Sequence, residues 1–119
     1  MATILIVDDD AFVRTLLRDM LAGQGHALLE AEDGREALDV LRARTPELVL
    51  LDLFMPRLSG LEALAAIRQR WPSARVLVIS SLDSERLVRE AIEAGAAGFI
   101  TKPFHPVEIT TAVARALAN

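Results

Sequence analysis

Thr3-Ile4-Leu5-Ile6-Val7-Asp8-Asp9-Asp10 begins with four consecutive aliphatic residues after Thr3 and closes on three acids. An apolar run with no polar position on either face predicts a strand over 3–8 buried on both sides. Such a strand belongs to a parallel sheet with helices above and below. A sheet wetted on one face would alternate apolar and polar residues instead.

Outward from this stretch, short apolar runs alternate with longer amphipathic segments five times. Residues 11–22 carry Phe12, Leu16, Leu17 and Met20 or Leu21 at helical spacing, and Gly23 and Gly25 then stop the helix. Residues 26–31 read as a second, less apolar strand, as expected at a sheet edge. Asp33 with Glu36 marks a helix start, and that helix ends near Pro46. The third strand runs from Glu47 to Leu53 and holds Leu48-Val49-Leu50-Leu51 directly before Asp52. Ser59 with Glu62 repeats the capping pattern, opening a helix that reaches Trp71-Pro72. Residues 75–80 form the fourth strand, residues 84–94 a helix stopped by Gly95, and residues 97–101 a short fifth strand. After the turn at Lys102-Pro103-Phe104, Pro106 suits the first turn of a last helix reaching about residue 118.

Strands and helices in this rhythm predict a single α/β domain over 1–119, a doubly wound five-stranded parallel sheet with five helices. Ligands of such sheets bind beyond the carboxyl ends of the strands. The residues there are Asp8, Asp9 and Asp10, then Asp52, then Ser80 and Ser81, then Thr101 and Lys102.

If the first and third strands are neighbours, Asp8, Asp9 and Asp52 converge. Two carboxylates about 5 Å apart repel by roughly 3 kcal/mol at an effective dielectric of 20. A cation relieves that repulsion, and a donor set of hard oxygens without His or Cys favours Mg²⁺ over zinc. A carboxylate also serves as a nucleophile toward a phosphoryl group. The metal and Lys102 then neutralise the transferred oxygens, while the Ser80 hydroxyl bonds one of them. A lone Asp here is as often a helix cap, a lone Ser a turn residue and a lone Lys a solvated charge. It is their convergence that points to chemistry.

Composition narrows the options. The 119 residues carry a net charge of −4, which argues against direct nucleic-acid binding by this domain, and the absence of cysteine removes thiolate chemistry. No apolar run is long enough to span a bilayer and the N-terminus lacks a signal-peptide shape, so a cytoplasmic protein is expected. Lys102 is the one Lys beside twelve Arg. A compact ammonium and a planar guanidinium are not equivalent at a tight site, so its position marks a requirement for Lys.

The segments Ile4-Leu5-Ile6-Val7-Asp8-Asp9-Asp10, Asp52-Leu53-Phe54-Met55-Pro56 with Gly60, Val78-Ile79-Ser80-Ser81 and Gly98-Phe99-Ile100-Thr101-Lys102-Pro103-Phe104 resemble, in order and spacing, the receiver domain of bacterial response regulators. The resemblance covers the whole chain. It implies the flavodoxin-like, CheY-like strand order 2-1-3-4-5, with Asp52 as phosphoacceptor from a sensor histidine kinase or a histidine phosphotransfer protein. It also implies Mg²⁺ (or Mn²⁺) held by Asp9, Asp52 and the main-chain oxygen of Phe54, with Asp8 acting through water and Lys102 pairing with the carboxylate or phosphate. Ser80 and Ser81 match the switch residues next to the phosphate. Phe99 matches the aromatic that turns inward as the face around the fourth helix, fifth strand and fifth helix remodels. Ordinary core packing is the plainer role for that ring, and Phe lacks the hydroxyl of the commoner Tyr. Phe54 and Leu82 flank the mouth of the site and are expected to hinder attacking water.

A phosphohydrolase with an Asp-x-Asp pair is disfavoured because Ala11-Phe12 follow the acids, and a nucleotide-binding module because no Gly-rich loop follows the first strand. A chain of this kind is expected to catalyse only its own aspartyl phosphorylation and dephosphorylation. It is expected to be either a stand-alone regulator or a domain excised from a longer one. Its output is a downstream protein or a missing effector domain, with a homodimer possible. Arg115 is the only basic residue from Val107 to Ala118, which argues mildly against a charged dimer face on that helix.

Overall fold

The computed structural model describes residues 2–55 and 58–118. Pro56, one of the residues carrying the resemblance, lies outside them. The elements are β1 (Thr3–Val7), α1 (Ala11–Ala22), β2 (Ala27–Ala31), α2 (Gly34–Ala43), β3 (Leu48–Leu51), α3 (Gly60–Arg70), β4 (Arg75–Ser80), α4 (Glu85–Glu93), β5 (Gly98–Thr101) and α5 (Pro106–Ala118). All strand pairs are parallel and the order is β2-β1-β3-β4-β5, as expected for the fold.

Period-two alternation of the strands sorts the core into two layers. Leu5, Val7, Val49, Leu51, Val76 and Val78 face Ala37 and Leu41 of α2, Ala63, Leu64 and Ile67 of α3, and Ala91 of α4. Ile4, Ile6, Leu48, Leu50, Leu77 and Ile79 face Leu17 and Leu21 of α1 and Ile109, Val113 and Ala116 of α5. Because β1, β3 and β4 are sandwiched between both layers, they read as unbroken apolar runs. β2 is an edge strand, and its weaker apolar character follows from that position.

The caps form as their side chains require. Asp33 accepts the Glu36 N–H at 2.8 Å, Ser59 accepts the Glu62 N–H at 3.2 Å, and Ser84 accepts the Leu87 N–H at 3.2 Å. Beyond α1 the chain turns through Gly25 at φ 82°, a conformation that L side chains rarely adopt.

Two expectations need correction. Phe12 was expected on the buried face of α1, yet it is 69% exposed. At about 100° per residue it lies some 140° from Leu17, whereas Val13 and Met20 fall beside Leu17 and Leu21 and pack there. The third strand is also shorter than 47–53. Its ladder with β1 ends at Val7↔Leu51, and Leu53 turns back beneath α3, accepting the Gly60 N–H at 3.1 Å.

Candidate functional site

The carboxyl ends of β1, β3, β4 and β5 deliver the residues of interest to one end of the sheet. Asp8 directly follows β1, and Asp52 directly follows β3, with its N–H donating to Val7 O at 3.0 Å. The adjacency of β1 and β3 thus brings the acids together. Asp8, Asp9 and Asp52 each present a carboxylate oxygen, and these oxygens lie within 4.8 Å of one another. Asp8 and Asp52 are 2% and 5% exposed, whereas Asp9 faces solvent.

Lys102 closes the site from β5. Its Nζ donates to Asp8 Oδ2 at 2.7 Å and to Asp52 Oδ2 at 3.3 Å. The ammonium therefore sits nearer Asp8 than the carboxylate that sequence reasoning paired with it. Asp8 Oδ1 accepts the Asp10 N–H at 2.9 Å, and Asp10 in turn caps α1 by accepting the Phe12 N–H at 2.9 Å. Asp52 Oδ1 accepts the Phe54 N–H at 3.1 Å, while the Phe54 ring stands 70% exposed beside the site. Ser80 is fully buried, and its Oγ accepts the Leu82 N–H at 3.2 Å, within the β4–α4 turn. Ser81 is exposed. Phe99 lies in register with Val78 and packs, half-buried, against the α2–α3–α4 layer of the core.

The electrostatics follow from this crowding. Burial pushes the Asp52 carboxyl above its ordinary value; the Phe54 N–H opposes this, the Asp8 charge adds to it, and Lys102 opposes it. For Lys102, burial works against the charged ammonium. The hydrogen bond to Asp8 and the charges of Asp52 and Asp8 outweigh it, holding the group above its usual value.

The donor set fits a hard divalent cation: three carboxylates and no sulfur or imidazole, two of them buried and one open to water. Lys102 balances only part of their charge.

The structure adds a packing role for Gly60, which the sequence named only as part of the resemblance, and one support that the sequence did not single out, Arg14. Gly60 packs so closely on the loop after β3 that a Cβ there would overlap Leu53 Cα and approach Asp52 O to 2.8 Å. Arg14 donates from Nη1 to the main-chain oxygen of Asp8 at 2.6 Å. A Gly at a helix start, eight residues past the acid, was a signal in view. For Arg14, one of twelve arginines, the sequence offers none.

A family model described as "Response regulator receiver domain" matches residues 4–114. The chemotaxis protein CheY of Thermotoga maritima is 39% identical over 111 residues, which make up 92% of each chain. The transcriptional activator protein ExaE of Pseudomonas putida is 41% identical over 118 residues, 98% of this chain and 55% of that protein. Among solved structures, the receiver domain of NtrX from Brucella abortus aligns with a TM-score of 0.92 at 36% identity, covering 98% of each chain.

Proposed function

The chain belongs to the response regulator receiver domain family, and on that footing we propose that Asp52 accepts a phosphoryl group from a phosphohistidine donor beside a divalent cation. The supporting observation is the convergence of Asp8, Asp9 and Asp52 within 4.8 Å, opposite the sole Lys of the chain. A sensor histidine kinase or a histidine phosphotransfer protein is the donor in this reading, which places the chain in the cytoplasm.

A carboxylate oxygen of Asp52 bonds to phosphorus as the bond from phosphorus to the donor imidazole breaks. The electron pair of that bond leaves on the imidazole nitrogen, and the product is an aspartyl acyl phosphate. When bound, Mg²⁺ (or Mn²⁺) supplies positive charge to the anionic oxygens during transfer. Asp9, Asp52 and the Phe54 carbonyl would hold the ion, with Asp8 supporting it from beside them. Asp52 is oriented by the Phe54 N–H on Oδ1 and by the Lys102 ammonium on Oδ2. Lys102 reaches both buried acids and contributes a fixed positive charge at the phosphoryl oxygens.

The switch follows from Ser80. Its hydroxyl oxygen accepts the Leu82 N–H, and its proton is the group that donates to a phosphoryl oxygen as the side chain moves toward it. Ser81 moves with it, and Phe99, in register with Val78 two residues before Ser80, adjusts. Phosphorylation thereby shifts the population of the α4–β5–α5 face. A downstream protein, an effector domain on a longer chain or a second copy reads that face. The chain acts on itself alone and turns over no separate substrate.

Incubation with acetyl phosphate and Mg²⁺, read by intact mass, tests this. Wild type gains one phosphoryl group and Asp52→Asn gains none. Equal gain in both, or none in wild type, overturns the assignment.

A further inference from the structure

Arg14 sits in the first turn of α1, outside the acidic cluster, yet its guanidinium reaches back over the β1–α1 turn. Nη1 donates to Asp8 O at 2.6 Å, and Nε donates to Glu30 Oε1 on β2 at 3.1 Å. The other Glu30 oxygen accepts Arg18 Nη1 at 2.8 Å. Arg14 is 16% exposed against 47% for Arg18, so of the two it is the one built into the structure.

Asp8 is the first residue past the parallel ladder. The pairing of β1 ends at Val7 on both sides. The Asp8 N–H still reaches Ala31 O at 3.1 Å, but among the described residues no strand pairs with its carbonyl. A buried carbonyl left without a donor costs about 1–3 kcal/mol. The Arg14 fork meets that need. The carbonyl it grips belongs to the peptide joining Asp8 to Asp9, so the bond ties down the backbone from which both carboxylates extend.

We propose, building on the ion-binding reading above, that Arg14 is a positioning residue for the cation site. Anchored on Glu30 of the edge strand, it fixes the Asp8–Asp9 peptide and so the aim of both side chains. The two acceptors lie in different directions, which suits a planar fork with separate N–H groups. A Lys ammonium on a flexible stem serves one of them less well and the pair not at all.

The sign of the effect separates positioning from charge. Arg14 is positive and bonded to the backbone of Asp8, one of the three acids, so on charge alone its removal would tighten cation binding. If it positions the site, removal loosens binding. Mn²⁺ titration of the full chain by electron paramagnetic resonance, with urea unfolding alongside, reads the difference. Arg14→Met is expected to bind Mn²⁺ about tenfold more weakly, the scale of a lost supporting contact at a metal site. Arg14→Lys, which keeps the charge, is expected to bind about threefold more weakly. Arg18→Met, which loses only a contact to Glu30, is expected to stay within about twofold of wild type. Arg14→Met binding as tightly as wild type or more so overturns the proposal, as does an equal loss in Arg18→Met. Should Arg14→Met fail to fold, unchanged binding in Arg14→Lys overturns it. A wild type that binds no Mn²⁺ removes the ion-binding reading and this proposal together, whereas a binding wild type matched by Arg14→Met removes this proposal alone.

Discussion

Among single side chains, Asp52 carries the main conflict between stability and chemistry. Burial lifts its carboxyl above the ordinary value of 3.8, so the native state binds this proton more tightly than the unfolded chain does. Above the native value the buried charge destabilises the fold in full. As pH falls from there toward 3.8, protonation removes that penalty, so this group's contribution favours folding more at lower pH. Without divalent ions, Asp52→Asn should therefore be more stable than wild type at pH 7 by roughly 1 kcal/mol. The gain should shrink as the pH approaches about 4. Urea unfolding of both proteins in EDTA across that range measures it, and a gain that grows toward acid would contradict the assignment. A second residue-scale outcome concerns lifetime. Phe54 and Leu82 are 70% and 46% exposed at the mouth of the site. Replacing both, as Phe54→Asn with Leu82→Glu, gives water a polar path to the acyl phosphate. Its loss after donor removal, followed by intact mass, should speed up about tenfold, or ~1.4 kcal/mol of barrier.

Between elements, the contact of α3 with the loop after β3 is the tightest support of the site. Gly60 begins α3, and its N–H holds Leu53 O at 3.1 Å, leaving no room for a side chain against Leu53 and Asp52 O. Gly60→Ala must push that loop outward, at about 1–3 kcal/mol for an overpacked contact. Because the displaced loop carries Asp52 and Phe54, phosphorylation by acetyl phosphate should slow along with the loss of urea stability. A variant that loses stability while keeping the wild-type rate would show that the loop moves without disturbing Asp52.

For the molecule as a whole, three acids from two strands and an ammonium from a third hold the carboxyl end of the sheet in electrostatic tension. An ion bound there acts on the native state alone. Mg²⁺ at a hundred times its dissociation constant should stabilise the fold by about 2.7 kcal/mol, raising the melting temperature by roughly 10 °C. Asp9→Asn combined with Asp52→Asn should abolish most of that rise in differential scanning fluorimetry. No helix among the described residues is long and apolar enough to cross a membrane. The frame that holds the site is the single five-stranded sheet, with a core layer on each face.

What the sequence determined by itself was local in origin. Unbroken apolar runs between amphipathic segments marked a parallel sheet buried on both faces. Because every crossover returns the chain the same way, the strand tips had to carry Asp8, Asp52, Ser80 and Lys102 to one end. The lone Lys was legible for the same reason: a strand end and a side-chain type are both visible in one dimension. Distances between remote elements were not. Lys102 stands nearer Asp8, 94 positions away, than Asp52, a difference that exists only once the strand ends are brought together. Phe12 faces water because helix phase, fixed by what packs beneath α1, outranks a count of apolar residues. Arg14 grips the Asp8 carbonyl because Asp8 is the first residue beyond its ladder, a fact that exists only once three strands lie side by side.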